Sequence, residues 1–150
     1  MFRINRQTDY AIRIILSLSQ RPAGTRLATG HIGKEMVIPG AFLPRIVSQL
    51  AQGGLLQTFA GREGGVQLTR SPAEINLRDV IETVEKPIEL SDCLAGESTC
   101  PIEGGCPLRS RWTRLQNMIL DELERTTFAD LVQESTQQAL HRLNVLPVDP

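Results

Sequence analysis

Residues 29–68 read TGHIGKEMVIPGAFLPRIVSQLAQGGLLQTFAGREGGVQL. Thr29 precedes a short helical segment over about Gly30 to Met36, and Val37-Ile38-Pro39-Gly40 has the composition of a tight turn. A second helix is predicted from about Gly40 to Gln52. Phe42, Leu43, Ile46, Val47 and Leu50 recur at helical spacing as its buried stripe, and Pro44 falls in the first turn, where a missing backbone N–H costs little. Gly53-Gly54 ends this helix. Leu55 to Phe59 reads as a short strand, Ala60-Gly61-Arg62-Glu63-Gly64-Gly65 as a glycine-rich turn, and Val66-Gln67-Leu68 as the returning strand. Helix, turn, helix and then a hairpin with a basic tip is the order of a winged helix-turn-helix.

Working outward, Tyr10, Ile14, Ile15 and Leu18 give an amphipathic first helix, with Asn5 or Thr8 to cap it and Arg21-Pro22-Ala23-Gly24 to stop it. Downstream, Ile75, Leu77, Val80, Ile81 and Val84 mark a short helix that Lys86-Pro87 closes. Residues 90–107 read as a loop carrying every cysteine of the chain. A long helix is predicted from Leu108 to about Leu123, with Leu108, Trp112, Leu115, Ile119 and Leu123 along one side. That stripe packs either within the chain or against a second copy. A last helix begins at Thr126-Thr127. The expected fold class is therefore mainly α with a small β-hairpin wing. Residues 1–85 form the DNA-binding head, 86–107 a cysteine-bearing loop, and 108–150 a dimerisation helix and a C-terminal helix.

The chain has 150 residues and a net charge of −1, but the charge is unevenly placed. Residues 1–70 hold nine Lys/Arg against three Asp/Glu, a balance of +6; residues 71–150 hold seven against fourteen, a balance of −7. A basic front and an acidic rear suggest that one end meets a polyanion. No apolar run approaches the roughly 20 residues of a membrane span, and the N-terminal stretch lacks a secretory signal pattern. A cytoplasmic protein with no membrane partner is expected. No nucleophile–base pairing and no nucleotide-binding glycine motif is evident, which argues against an enzyme.

On the predicted recognition helix the outward positions are Ala41, Arg45, Ser48, Gln49 and Gln52. Arg45 suits the acceptor edge of guanine, Gln49 suits adenine, and Ala41 suits a thymine methyl, while Ser48 and Gln52 reach bases or phosphates. Arg62 at the wing tip, between flexible glycines, suits the narrow, negative minor groove. Arg3, Arg6, Lys34 and Arg70 are candidate phosphate contacts.

Cys93, Cys100 and Cys106 have six and then five residues between them, in a loop rich in glycine and proline. An odd count of three argues against a disulfide framework. Thiolates are soft ligands that suit iron–sulfur clusters, zinc or copper(I), and such cysteines also serve as thiol redox switches. Neither gap has the short spacing of a zinc knuckle. A fourth ligand would come from a carboxylate, a histidine, a small molecule or a second subunit.

Several stretches together resemble the Rrf-type family of bacterial winged-helix transcription regulators, from Met1 to about Leu131. They are Thr8-Asp9-Tyr10-Ala11, Ile38-Pro39-Gly40-Ala41-Phe42-Leu43, Leu50-Ala51-Gln52-Gly53-Gly54-Leu55-Leu56, Gly61-Arg62-Glu63-Gly64-Gly65-Val66 and Ile75-Asn76-Leu77-Arg78-Asp79-Val80, with the three cysteines and then Leu108 and Trp112. The resemblance implies a homodimer joined by the long helix, a near-palindromic double-stranded DNA operator, and a 4Fe–4S or 2Fe–2S cluster on Cys93, Cys100 and Cys106 that sets DNA affinity in response to redox state, nitric oxide or iron. Iron–sulfur-biogenesis regulators of the family take a histidine three residues after the last cysteine as fourth ligand; here that position is Arg109, which cannot ligate. Nitric-oxide-sensing members use an aspartate of the partner's first helix, and Asp9 occupies that place. Two features depart from the family: Ala60 stands where arginine often precedes the wing, and the first cysteine gap is one residue longer than in the biogenesis regulators. The alternative is a metal-free regulator switched by cysteine oxidation or by a protein partner.

Overall fold

The computed structural model describes residues 4–85, 87–96 and 100–144. Its elements run α1 (Arg6–Ser19), α2 (Thr29–Glu35), α3 (Leu43–Gln52), β1 (Leu56–Phe59), β2 (Gly65–Leu68), α4 (Leu77–Val84), α5 (Pro107–Arg125) and α6 (Phe128–Asn144), with short 3-10 turns at Pro72–Glu74, Asp92–Leu94 and Glu103–Gly105. This is the mainly α winged-helix class that the sequence predicts.

α1 starts where the Asn5 side chain accepts the Thr8 N–H at 3.0 Å, so one orphan donor of the first turn is satisfied. Its apolar face, Tyr10, Ala11, Ile14, Ile15 and Leu18, is buried against α3, α4 and α6. From α3 the core receives Leu43, Ile46, Val47 and Leu50, the stripe that the 3.6-residue period marks. α3 begins later than that stripe suggests. Gly40 to Phe42 form a turn, closed by the Phe42 N–H on the Pro39 carbonyl at 3.0 Å, and the helix proper starts at Leu43 beside Pro44.

The hairpin pairs Leu56 with Leu68, Thr58 with Val66 and Phe59 with Gly65. A third chain segment joins it, which the sequence reading does not anticipate. Leu27 exchanges two backbone hydrogen bonds with Val66, at 3.0 and 2.8 Å, and so anchors the wing to the stretch before α2. Gly65 permits this approach, because its φ is +141° and a β-carbon there would lie 2.2 Å from the Leu27 carbonyl oxygen.

α6 returns to the head. Phe128 is fully buried in the same core, its N–H bonds the Ile75 carbonyl at 2.9 Å, and Leu77 donates to Thr126 at 3.0 Å. α5 is different: none of its 19 residues is buried. Leu108, Trp112, Leu115 and Met118 leave large apolar surfaces open along it. The Leu90 N–H donates to the Gln116 side chain at 3.0 Å and ties the cysteine segment to this helix.

Candidate nucleic-acid interface and cysteine loop

The exposed side of α3 carries Arg45, Ser48 and Gln52, opposite the buried stripe. Gln52 donates to the Ser48 hydroxyl at 3.2 Å, which holds the two polar groups together in one row. Ala41 is exposed but sits in the turn ahead of α3, not in the helix as the sequence reading places it. Gln49 is half-buried, and its side-chain carbonyl oxygen is wholly buried with no hydrogen-bond partner among the described residues. In this conformation that acceptor faces the protein. An adenine contact by Gln49 therefore requires the side chain to turn outward, and an unsatisfied buried oxygen costs about 1–3 kcal/mol, which favours that turn.

The cations of the head fall into two sets. Arg45 on α3, Lys34 at the end of α2 and Arg62 in the wing are exposed and form no ion pair among the described residues. They are available to a polyanion. Arg70, by contrast, is exposed but engaged, with one nitrogen 3.3 Å from the Glu74 carbonyl and another 3.9 Å from Asp79. Arg3 lies outside the described residues. Between α2, α3 and the wing runs a hollow lined by Thr29, Val47, Thr58, Phe59, Gly61 and Arg62. A duplex backbone passing from recognition helix to wing would cross this hollow.

Cys93 lies half-buried in the 3-10 turn Asp92–Leu94, with the Ser91 hydroxyl 3.3 Å from its sulfur. Cys100 is exposed. Cys106 is half-buried and is the residue from which α5 starts, at the positive end of that helix, where negative charge is favoured. Arg109 is engaged by Glu103 and presents no ligating atom. Among the described residues no three Cys, His, Asp or Glu side chains converge on a metal-holding point. The donor set nevertheless fits an iron–sulfur centre in kind: three soft sulfurs on one turn-rich loop.

Asp9 sits on α1 with its carboxylate 2.8 Å from Arg13. Arg13 is a residue that sequence reading missed. Besides Asp9, its guanidinium donates to the Met36 carbonyl at 3.1 Å and lies 5.6 Å from the centre of the Tyr10 ring. It thus joins the first helix to the end of α2, next to the turn that aims α3. Spacing could at most suggest an i,i+4 pair of Asp9 and Arg13 on a helix surface; the reach to Met36 is set by tertiary packing.

Residues 4–134 match the family model Rrf2, described as iron-dependent transcriptional regulator. Protein aau3 of Rhizobium meliloti is 32% identical over 137 residues, 90% of this chain and 88% of that protein. The HTH-type transcriptional regulator NsrR of Shouchella clausii is 31% identical over 126 residues, 83% of this chain and 85% of that one. Among solved structures, CymR (YrzC), the global cysteine regulator of B. subtilis, superposes with a TM-score of 0.74 at 25% identity, covering 89% of this chain and 98% of CymR.

Proposed function

The chain belongs to the Rrf2 family of transcriptional regulators, and from that premise we propose that it binds operator DNA as a symmetric pair whose affinity is set by an iron–sulfur centre. Arg45 and Ser48, with Ala41 and Gln49 beside them, read base edges; Arg62 enters the minor groove; Lys34 and Arg3 hold phosphates. Cys93, Cys100 and Cys106 supply three ligands, and Asp9 of the partner subunit supplies the fourth. Such a centre, when bound, gives the protein a group that reacts with oxidants, nitric oxide or iron shortage.

The observation that carries the switching part of this reading is the link from Asp9 through Arg13 to the Met36 carbonyl. With its carboxylate at home, Asp9 shares Arg13 with that carbonyl. When the carboxylate is drawn toward a neighbouring subunit's thiol loop, Arg13 loses its ion pair and its hold on the end of α2 changes. The turn that follows sets the angle of α3, so the two reading heads shift relative to the operator. A coupling of ~1–3 kcal/mol, about 5- to 150-fold in affinity, is the usual scale for such a device.

The test is anaerobic purification followed by absorbance, iron and sulfide analysis, with DNA affinity measured before and after chelation. The duplex is one that the protein itself selects from a random library. We expect a coloured protein with bound iron and sulfide, and affinity that changes at least fivefold on iron removal. Asp9→Ala should lose iron faster while still binding DNA in the metal-free form. A colourless protein whose DNA binding ignores chelators but is abolished by peroxide would instead establish the metal-free reading, regulation through cysteine oxidation.

A further inference from the structure

Arg26 stands just before the Leu27–Val66 bridge, at the root of the wing. Its guanidinium carbon lies 3.4 Å from the centre of the Phe59 ring, a flat stack of cation on aromatic face. Phe59 is the last residue of β1 and also lines the hollow between recognition helix and wing. Across the hairpin Phe59 faces Gly65, so no side chain intervenes between the ring and the 26–28 segment. Arg26 itself is exposed and forms no ion pair among the described residues.

The charge of the wing makes this placement informative. The turn Ala60–Gly65 contains Arg62 and Glu63 and is electrically neutral as a unit. Glu63 offsets the charge that Arg62 brings to the groove, so the turn as a whole adds no net attraction for the phosphates that flank it. A stacked guanidinium keeps its in-plane N–H donors free, and the ring beneath limits its freedom, so less entropy is lost when a phosphate is gripped.

We propose that Arg26, held on Phe59, is a phosphate contact of the wing and adds positive charge to that of Arg62, which Glu63 beside it offsets. The inference rests on the DNA-binding reading above and adds a residue to it. Its test compares wild type, Arg62→Ala, Arg26→Ala, Arg26→Lys and Phe59→Leu on a duplex recovered by the wild-type chain from a random library. Sheared genomic DNA is the non-specific probe, and each affinity is measured across a salt titration. Each phosphate contact removed should lower the slope of log affinity against log salt by about 0.9, so a symmetric pair that loses Arg26 twice should show a drop of about 1.8. Arg26→Ala should show that drop on both probes, with affinity falling roughly tenfold. Arg26→Lys should keep the slope, since it keeps the charge. Phe59→Leu should weaken binding without changing the slope. An Arg26→Ala variant with wild-type affinity and slope overturns the proposal. So does a weakened one with unchanged slope, because the stack then merely props the wing. A wild-type chain that recovers no duplex overturns the DNA reading itself, and this inference with it.

Discussion

Val37, in the turn between α2 and α3, holds a left-handed backbone conformation that favours glycine. The turn between α2 and α3 was legible, because Ile38-Pro39-Gly40 punctuates it. Its left-handed position was not. That position falls on Val37, at φ +55°, and not on Gly40. A β-branched residue there is rare, since its branched carbon crowds the following carbonyl. Val37 is also 77% exposed, so it gains little from burial in return. Val37→Gly should relieve ~1–2 kcal/mol of this crowding and give back about 0.5–1 kcal/mol in chain entropy. The expected net effect is a small stabilisation, up to ~1.5 kcal/mol, read as a higher urea midpoint at fixed protein concentration. Val37→Ala keeps a β-carbon and should leave most of the crowding in place. A Val37→Gly variant that unfolds at lower urea would show that no strain is stored at this turn. Gln49 illustrates the same boundary from the other side. The helical period distinguishes Arg45 and Ser48, far from the buried stripe, but leaves position 49 at its edge. There only packing decides whether the side chain faces base or core.

Among the elements, the helices were readable to within a few residues, since their apolar faces repeat at 3.6 and their ends carry Asn5, Pro44 and Pro107. The Leu27 bridge was hidden, because a single residue has no period. So was the clamp between α1 and α2, which joins side chains distant in sequence. Arg21 holds the Glu35 carboxylate with bonds of 2.9 and 3.0 Å, and the Ser17 hydroxyl donates to it at 2.9 Å. The Arg21 hydrogen bond, above all, holds the Glu35 carboxyl below the usual glutamate range. Because the folded value lies below the unfolded one, the stabilisation is present at neutral pH and is lost as pH falls through the folded value. Glu35→Gln should therefore lower the urea midpoint at neutral pH, and the gap to wild type should close as the solution is acidified. Glu35 is about a third exposed, at 31%, so solvent screening keeps the effect modest and added salt should shrink it. A gap that stays constant from neutral to acid pH would mean that Glu35 acts through packing alone.

For the whole molecule, the charge split and the stripe on α5 pose one question with one answer. The head carries the basic charge expected of a polyanion-binding surface, while the rear of the chain has an apolar seam that the head does not cover. A 19-residue helix with no buried residue has little to hold it straight in water by itself. Leu108 at 55%, Leu115 at 45% and Met118 at 59% exposure form a seam spaced for a second helix. The sequence displayed that seam but could not say what fills it, because nothing within the chain covers it; the proposed ligand cage, with Asp9 of the partner subunit as its fourth member, is beyond one chain's sequence for the same reason. If two copies pair along α5, Leu115→Glu sets like charges into the seam and should yield monomers in sedimentation equilibrium. Since nothing in its own head buries Leu115, the head should stay folded, and any loss of helix content by circular dichroism should not exceed that of α5. Two tethered heads gain from effective concentration, whereas separate heads do not. The monomer should bind a two-half-site duplex about 10²- to 10⁴-fold more weakly, yet keep wild-type affinity for a single half-site. A Leu115→Glu variant that remains dimeric would place the pairing surface elsewhere. One that is monomeric but binds the full duplex as tightly as wild type would break the tie between pairing and DNA recognition.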